Sequence, residues 1–274
     1  MDANDNEELI ESLAPSAAML PLLGSLSEAL ERLKRGDKTL PRAYDWDDIP
    51  MRQFAEMLAR FPLALQGWPQ GRLDPINRSS GERDLLHHLL SDLDIMSEED
   101  LEERFRSLME GSRPAAAYRK IAGAPAVANL LRNEIALGWG GFSMTSTDPQ
   151  LEERVRRRRM YADRYRGVFD WTHVRAWDIA QGAVLVLEAD ACDVLIGCNP
   201  EGYFSRISGE MLVRFSSWHE YARALLFSYV WLKLEEGIGQ AEEALAEGEK
   251  TLDMLLTGPW AQFPWPRIRK SDIS

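Results

Sequence analysis

The chain has 274 residues, a hydrophobic fraction of 45% and a formal net charge of -12, so it is long enough to bury a substantial core. Its acidity disfavours binding to nucleic acid or to anionic membranes, since both attract basic surfaces. The same charge favours a soluble protein with a cationic protein partner.

Helical periodicity dominates the first half. Ser25 is predicted to cap a helix that ends at Gly36, and residues 51–65 form a second helix with Pro62 near its end. Residues 67–81 are rich in Gly, Pro, Asn and Ser, which predicts a long connection and a possible internal domain boundary. Further helices are expected over residues 82–93, 97–110, 115–121 and 126–137.

Helices are also predicted for most of the second half. A charged helix covers residues 148–166, and Thr172 is expected to cap a long apolar helix that continues to about residue 195. Helices over residues 200–213, 217–237 and 241–256 follow. The prolines of residues 257–274 predict an extended tail. We therefore expect an all-α protein in which residues 1–274 form a single globular domain of about ten helices.

Two observations bear on the compartment. The first residues are acidic and do not resemble a secretory signal, and the longest apolar runs are much too short to cross a bilayer. Cys192 and Cys198 are too few for a disulfide scaffold and lack the partners of a zinc site. We expect a cytoplasmic protein with no membrane contact.

Tryptophans in the second half occur in three short phrases that resemble a bacterial family catalogued as domain of unknown function 1266. The matching residues are Ala176, Trp177 and Asp178; Ser217, Trp218, Tyr221 and Trp231; and Leu255, Leu256, Pro259, Trp260, Pro264 and Trp265. The resemblance covers about the last hundred residues, and it departs from the family pattern at Gln181, at residues 197–203 and at Ser228. It implies a fold but no mechanism, because the family has no established reaction.

Asp178 lies within a mostly apolar helix, where an unpaired carboxylate would cost several kcal/mol. Asp178 should therefore have a cationic or hydrogen-bonding partner, and the favoured interpretation is a core salt bridge with Arg175, or with an arginine from another helix, beside the packing tryptophan. A ligand-binding or catalytic carboxylate is the alternative. Trp177, Trp218 and Trp231 are expected to pack in one core, because each lies on an apolar helical face.

Other groups give little support for chemistry. Glu188, Asp190 and Asp193 follow Asp178 on the same helix, but their spacing does not place three ligands together. The four histidines, His87, His88, His173 and His219, form no ligand motif. Residues 156–159 are four arginines. We expect them to form ion pairs with the acids before and after them on a solvated helix face. No catalytic residue, metal or cofactor is predicted.

The acidic carboxyl-terminal segment gives the better functional lead, although a merely solvated helix is the simpler interpretation. Lys250 is the one basic residue among the acids of this segment. The partner-binding candidates are Glu235, Glu236, Glu242, Glu243 and Glu247. A second candidate surface is the loop with Asp45, Trp46, Asp47 and Asp48, where an aromatic anchor lies among carboxylates.

These features lead to three hypotheses about function. The first is a non-enzymatic, acidic protein-binding module, in sharper form an immunity-type protein that neutralises a cationic bacterial toxin. The second is a metal-assisted hydrolase that uses Asp178, Glu188 and Asp193. The third is a regulatory or structural helical protein that binds a peptide. The sequence leaves the oligomeric state open.

Overall fold

The computed structural model describes residues 17–36, 42–44, 48–67, 95, 97–123, 149–192 and 200–268. Several predictions fall outside these residues and are not tested by the structure. They are the helices at 82–93 and 126–137, the boundary at 67–81 apart from Gly67, and the side chains of Asp45, Trp46, Asp47, His87, His88, Asp193 and Cys198.

Helices make up most of the described chain, which confirms the all-α fold class and comes close to the predicted number of about ten. They are α1 (Met19–Arg35), α2 (Met51–Leu65), α3 (Glu98–Glu110), α4 (Arg113–Gly123), α5 (Pro149–Arg164), α6 (Trp171–Ala191), α7 (Glu201–Arg214), α8 (Trp218–Lys233), α9 (Ile238–Thr257) and the single turn α10 (Pro259–Gln262). None of them combines the length and the apolar composition that crossing a lipid bilayer requires.

Two very short strands were not predicted. β1 (Arg42–Tyr44) pairs in parallel with β2 (Pro266–Ile268), and this pairing joins the tail to the segment before α2. Each strand has three residues, too few for a period-2 pattern to be visible in the sequence. The tail is thus extended as predicted over β2, although α10 interrupts it.

Helix starts follow local signals at most positions. The Ser97 and Ser217 hydroxyls accept hydrogen bonds from the N–H groups of Asp100 and Glu220, as the capping pattern predicts. Two predicted caps are wrong. Asp170, not Thr172, caps α6, and α1 begins at Met19 rather than after Ser25, because its buried stripe extends six residues further back.

Helix α6 lies at the centre of the molecule. It is apolar on nearly all sides and packs against α2, α3, α4, α7 and α8, as a fully buried helix should. Gly182 allows a close approach to α3, because a Cβ there would lie 2.6 Å from the Met109 Cε. The polar side chains that α6 does carry are therefore placed deep in the protein.

The buried apolar side chains form one continuous core in which the tryptophans occupy different places. The Trp218 ring stacks on Trp260 at 4.8 Å between centroids, whereas Trp231 packs edge-on against Tyr118 at 5.1 Å. Both are buried, as predicted. Trp177 is half-buried and packs against the edge of the same core, so the predicted single core is confirmed for Trp218 and Trp231, and Trp177 lies at its margin.

Candidate functional site

A pocket with a volume of about 430 Å³ opens beside α6, within the range of about 300–1,000 Å³ typical of ligand sites. The wall from α6 consists of Trp177, Asp178, Gln181, Val184, Leu185 and Glu188. Arg104 and Leu108 of α3 form the opposite wall, with Ser112 after that helix. Gln66 and Leu232 close the pocket where α2 and α8 end.

The pocket wall follows the helical period of α6. Asp178, Gln181, Leu185 and Glu188 are three or four residues apart, so they lie on one face of the helix. Most of the other side chains of α6 are apolar and buried in the core. Two of the three buried polar residues of α6, Asp178 and Glu188, therefore line the cavity, and the third, Arg175, does not.

Asp178 is the most perturbed group of this site. Its side chain is 2% exposed, and its Oδ2 accepts a hydrogen bond of 2.9 Å from the Ser112 N–H. Burial raises the pKa of Asp178 to about 6, although the Ser112 hydrogen bonding and the charge of Arg175 both act to lower it. The carboxyl group can thus change its ionisation near neutral pH.

The predicted salt bridge between Asp178 and an arginine is wrong. Arg175 forms an ion pair with Glu210 at 3.2 Å, donates to the Met109 carbonyl oxygen and lies over the Trp171 ring. A backbone N–H from the turn between α3 and α4 takes the place of the cation at Asp178. The carboxylate is therefore hydrogen-bonded without being neutralised, which explains its raised pKa.

Trp177 connects the pocket to the acidic helix α9. The Tyr229 ring stacks on the indole at 5.1 Å and 13°, and Phe61 packs against it nearly at right angles. The Tyr229 hydroxyl donates to the Glu247 carboxylate at 3.1 Å. Burial and this carboxylate raise the pKa of Tyr229 to about 12. The hydrogen bond from the phenol therefore holds Glu247 next to the aromatic pair that Tyr229 forms with the pocket residue Trp177.

The acidic candidates fall into two groups. Glu242, Glu243 and Glu247 of α9 are exposed, as a docking surface requires. Glu236 forms an ion pair with Lys233 at 2.6 Å, and Glu235 pairs with Arg158 at 2.8 Å. Asp48 of the second predicted surface is exposed. Among the described members of the two acidic sets, Glu242, Glu243 and Asp48 are exposed, and Glu247 is exposed but accepts the Tyr229 hydrogen bond.

Arg158 contradicts the prediction of a solvated arginine face. Its side chain is 1% exposed and lies over the Trp231 ring, 5.1 Å from the ring centroid. The pair with Glu235 supplies the charge that a buried guanidinium requires. Its neighbours agree better with the prediction, because Arg156 and Arg159 pair with Glu153 and Asp163 of the same helix.

Glu235→Gln should therefore destabilise the fold. The change removes the carboxylate that pairs with buried Arg158, and we expect a loss of about 1–2 kcal/mol because Glu235 is itself partly exposed. Glu236→Gln is the matched control, since its partner Lys233 is in contact with solvent and the pair is worth under about 0.5 kcal/mol. Urea denaturation of both variants measures the difference, and equal losses would contradict the structural role of Glu235.

The carboxylates of α6 do not form a metal site in the part of the chain that the structure describes. Asp190 pairs with Arg52 at 2.7 Å, and no three potential ligands among the described residues lie close enough to hold an ion. His173 takes part in the capping box of α6, with its Nδ1 2.8 Å from Asp170. His219 packs beside Gly36.

Sequence reasoning found Asp178 and Trp177 but missed the cavity that they line. Ser112 and Tyr229 were not singled out, and their roles depend on contacts between distant segments. A signal for the pocket was present in the pattern of α6, because an otherwise apolar helix repeats polar side chains at Asp178, Gln181 and Glu188. A buried helix with one polar face indicates an internal cavity or a polar partner.

No family model, curated protein or solved structure matches this chain. The resemblance of its tryptophan phrases to the bacterial family catalogued as domain of unknown function 1266 stays a prediction. Function is therefore argued from the pocket and from the exposed acidic helix.

Proposed function

We propose that this chain is an acidic, non-enzymatic module that binds a basic protein partner through the exposed face of α9. In sharper form, the proposal is an immunity-type protein that neutralises a cationic bacterial toxin. The observation that carries the proposal is the position of this face, which adjoins the pocket through the contacts from Glu247 to Tyr229 and from Tyr229 to Trp177.

Charge on the exposed side of α9 supports a basic partner. Glu242, Glu243, Glu247 and Asp253 are exposed, and Lys250 is the one base of the helix. Glu243 and Glu247 are one helical turn apart, where like charges are mildly destabilising. A partner with complementary charge removes this repulsion and is attracted over a distance of about 8–10 Å.

A toxin that acts on nucleic acid supplies the required partner chemistry. Such an enzyme needs a basic cleft to hold phosphates, and an acidic inhibitor can cover that cleft by the same attraction. Hydrophobic contact would then come from an aromatic group beside the charges, and Trp177, which is half-buried and stacked on Tyr229, occupies that place. The acidic composition and the absence of a recognisable catalytic motif in the sequence favour this interpretation over a free-standing enzyme.

Charge reversal on α9 tests the proposal. In the variant Glu242→Lys, Glu243→Lys, Glu247→Lys, we expect a fluorescent nine-residue arginine peptide to bind at least about tenfold more weakly at low salt. The wild-type affinity for this peptide should fall steeply between about 20 and 200 mM salt, because the contacts are exposed. Fluorescence anisotropy measures both effects, and circular dichroism checks that the helix content is retained.

A second charge reversal controls for net charge. Glu28, Glu103 and Glu110 are exposed residues of α1 and α3 with no ion pair among the described residues. Their replacement by lysine changes the net charge by the same amount but leaves α9 intact, so peptide binding should fall by less than about threefold. Equal losses in the two variants would mean that the peptide senses only net charge, and α9 would not be the docking face.

A hydrolase is the second candidate, and the raised pKa of Asp178 is the observation that favours it. A carboxyl group with a pKa of about 6 in a pocket is suited to general acid–base catalysis. A metal-assisted form would need ligands besides Asp178 and Glu188, since the described residues contain no group of three. About one equivalent of zinc or manganese in the purified protein, by elemental analysis, would favour this candidate over the binding module.

A further inference from the structure

Among the described residues, an arginine that lies over a tryptophan ring and pairs with a glutamate occurs twice. Arg158 lies over Trp231 and pairs with Glu235 at 2.8 Å. Arg175 lies 5.5 Å from the Trp171 ring centroid and pairs with Glu210. In both cases the indole face and the carboxylate together stabilise a guanidinium that is almost completely buried.

The pocket contains the same two groups in neighbouring positions. Trp177 lines the cavity with Tyr229 stacked on one face of its ring, and the adjacent Asp178 is a buried carboxyl with a hydrogen bond from a backbone N–H. Within the described ranges no arginine lies over Trp177 or pairs with Asp178. The Ser112 hydroxyl, buried at the same place, has no hydrogen bond of good geometry, although it is close enough to lower the pKa of Asp178.

We propose that the pocket binds the guanidinium group of an arginine side chain, which stacks on Trp177 and pairs with Asp178. This inference rests on the proposed function, because the basic partner supplies the arginine. The pocket then acts as the specific anchor, and the exposed glutamates of α9 attract the partner. One arginine inserted in a pocket beside a charged rim is a common arrangement of binding hot spots.

The lining of the pocket fits arginine better than lysine. A guanidinium has five N–H donors in a plane, and the acceptor groups that line the pocket include the Asp178 and Glu188 carboxylates, the Gln181 amide and the Ser112 hydroxyl. Leu108 and Leu185 provide apolar surface for the methylene groups. An ammonium is more strongly hydrated and stacks less well on an indole, so it gains less from this site.

The charged groups around Asp178 determine how binding depends on pH. Arg104 and Glu188 line the pocket, and Arg175 acts on Asp178 from its own helix. Asp178 becomes ionised as the pH rises through about 6, so a cation should bind more tightly at pH 7.5 than at pH 5. Arg104 is exposed at the rim and opposes a cation, and its removal should strengthen binding.

Isothermal titration with N-acetyl-arginine methylamide tests the proposal, with N-acetyl-citrulline methylamide as the neutral probe of the same shape. We expect the arginine probe to bind at least about tenfold more tightly to the wild-type protein, since the pairing is with a buried carboxylate. Asp178→Asn should remove at least about tenfold of this affinity, and Arg104→Ala should increase it by about two- to fivefold. Trp177→Leu should weaken the arginine probe more than the citrulline probe.

The double variant Glu242→Lys, Glu243→Lys separates this inference from the proposed function. It keeps Glu247, which is bonded to the Tyr229 that stacks on Trp177, so it should bind the small arginine probe within about twofold of the wild type. Equal binding of the two probes, or full affinity in Asp178→Asn, would overturn the pocket inference. Peptide binding that depends on α9 would then leave the proposed function standing. If the arginine probe binds as expected but peptide binding does not depend on the α9 glutamates, the pocket inference would stand and the proposed docking face would be wrong.

Discussion

Trp218→Ala is expected to lower the free energy of unfolding by about 3–5 kcal/mol. The ring is 2% exposed, stacks on Trp260 at 4.8 Å and meets Trp265 edge-on at the same distance. Its Nε1 also donates a hydrogen bond of 2.6 Å to the Phe263 carbonyl oxygen. Truncation removes the centre of an aromatic cluster that attaches the tail to α8. The variant should therefore both contain a cavity where the ring was and lose the ordered packing of the tail.

Trp177→Ala is the matched control, because it deletes the same side chain at the edge of the core. Trp177 is half-buried and lines the pocket, and we expect a loss of about 1–2 kcal/mol there. Urea denaturation followed by circular dichroism measures both variants. A loss below about 1 kcal/mol for Trp218→Ala would mean that its ring is a surface anchor.

Features that depend on neighbouring residues could be predicted from the sequence. Ser97 and Ser217 cap helices because the hydroxyl accepts from an N–H three residues later, and both contacts are visible as a local pattern. Pro114 and Pro200 lie at helix starts for the same local reason. The fold class follows from these signals and from the period of the apolar residues.

Features that depend on contacts between distant segments could not be predicted from the sequence. Arg158 looks solvated in its run of arginines, and only the approach of α8 buries it against Trp231 and Glu235, 77 residues away. Asp178 was expected to need a cationic or hydrogen-bonding partner, with a salt bridge favoured, and the partner is the backbone N–H of Ser112, 66 residues earlier. The sequence pattern does not encode which backbone groups a buried carboxylate meets, so the pocket and the raised pKa depend on the folded arrangement.

Asp178→Asn is expected to stabilise the protein at neutral pH. The pKa of Asp178 is about 6 in the folded state against 3.8 for the ordinary carboxyl group. Because the unfolded chain loses its proton first, the free energy of unfolding falls as the pH rises between these values. The total fall is roughly 3 kcal/mol. Asparagine does not ionise and keeps an oxygen that can accept from the Ser112 N–H, so the variant avoids this loss.

The measurement compares the two proteins at two pH values. Between pH 4.5 and 7.5, the stability of the wild type relative to Asp178→Asn should fall by about 2 kcal/mol, which is the part of the titration that lies in this range. Differences in packing between the side chains cancel in this comparison, because they do not change with pH. A constant difference would show that Asp178 titrates as an ordinary surface carboxylate. A fall of the expected size would mean that the chain retains a buried, un-neutralised carboxyl group at the cost of stability, as expected of a residue kept for a ligand.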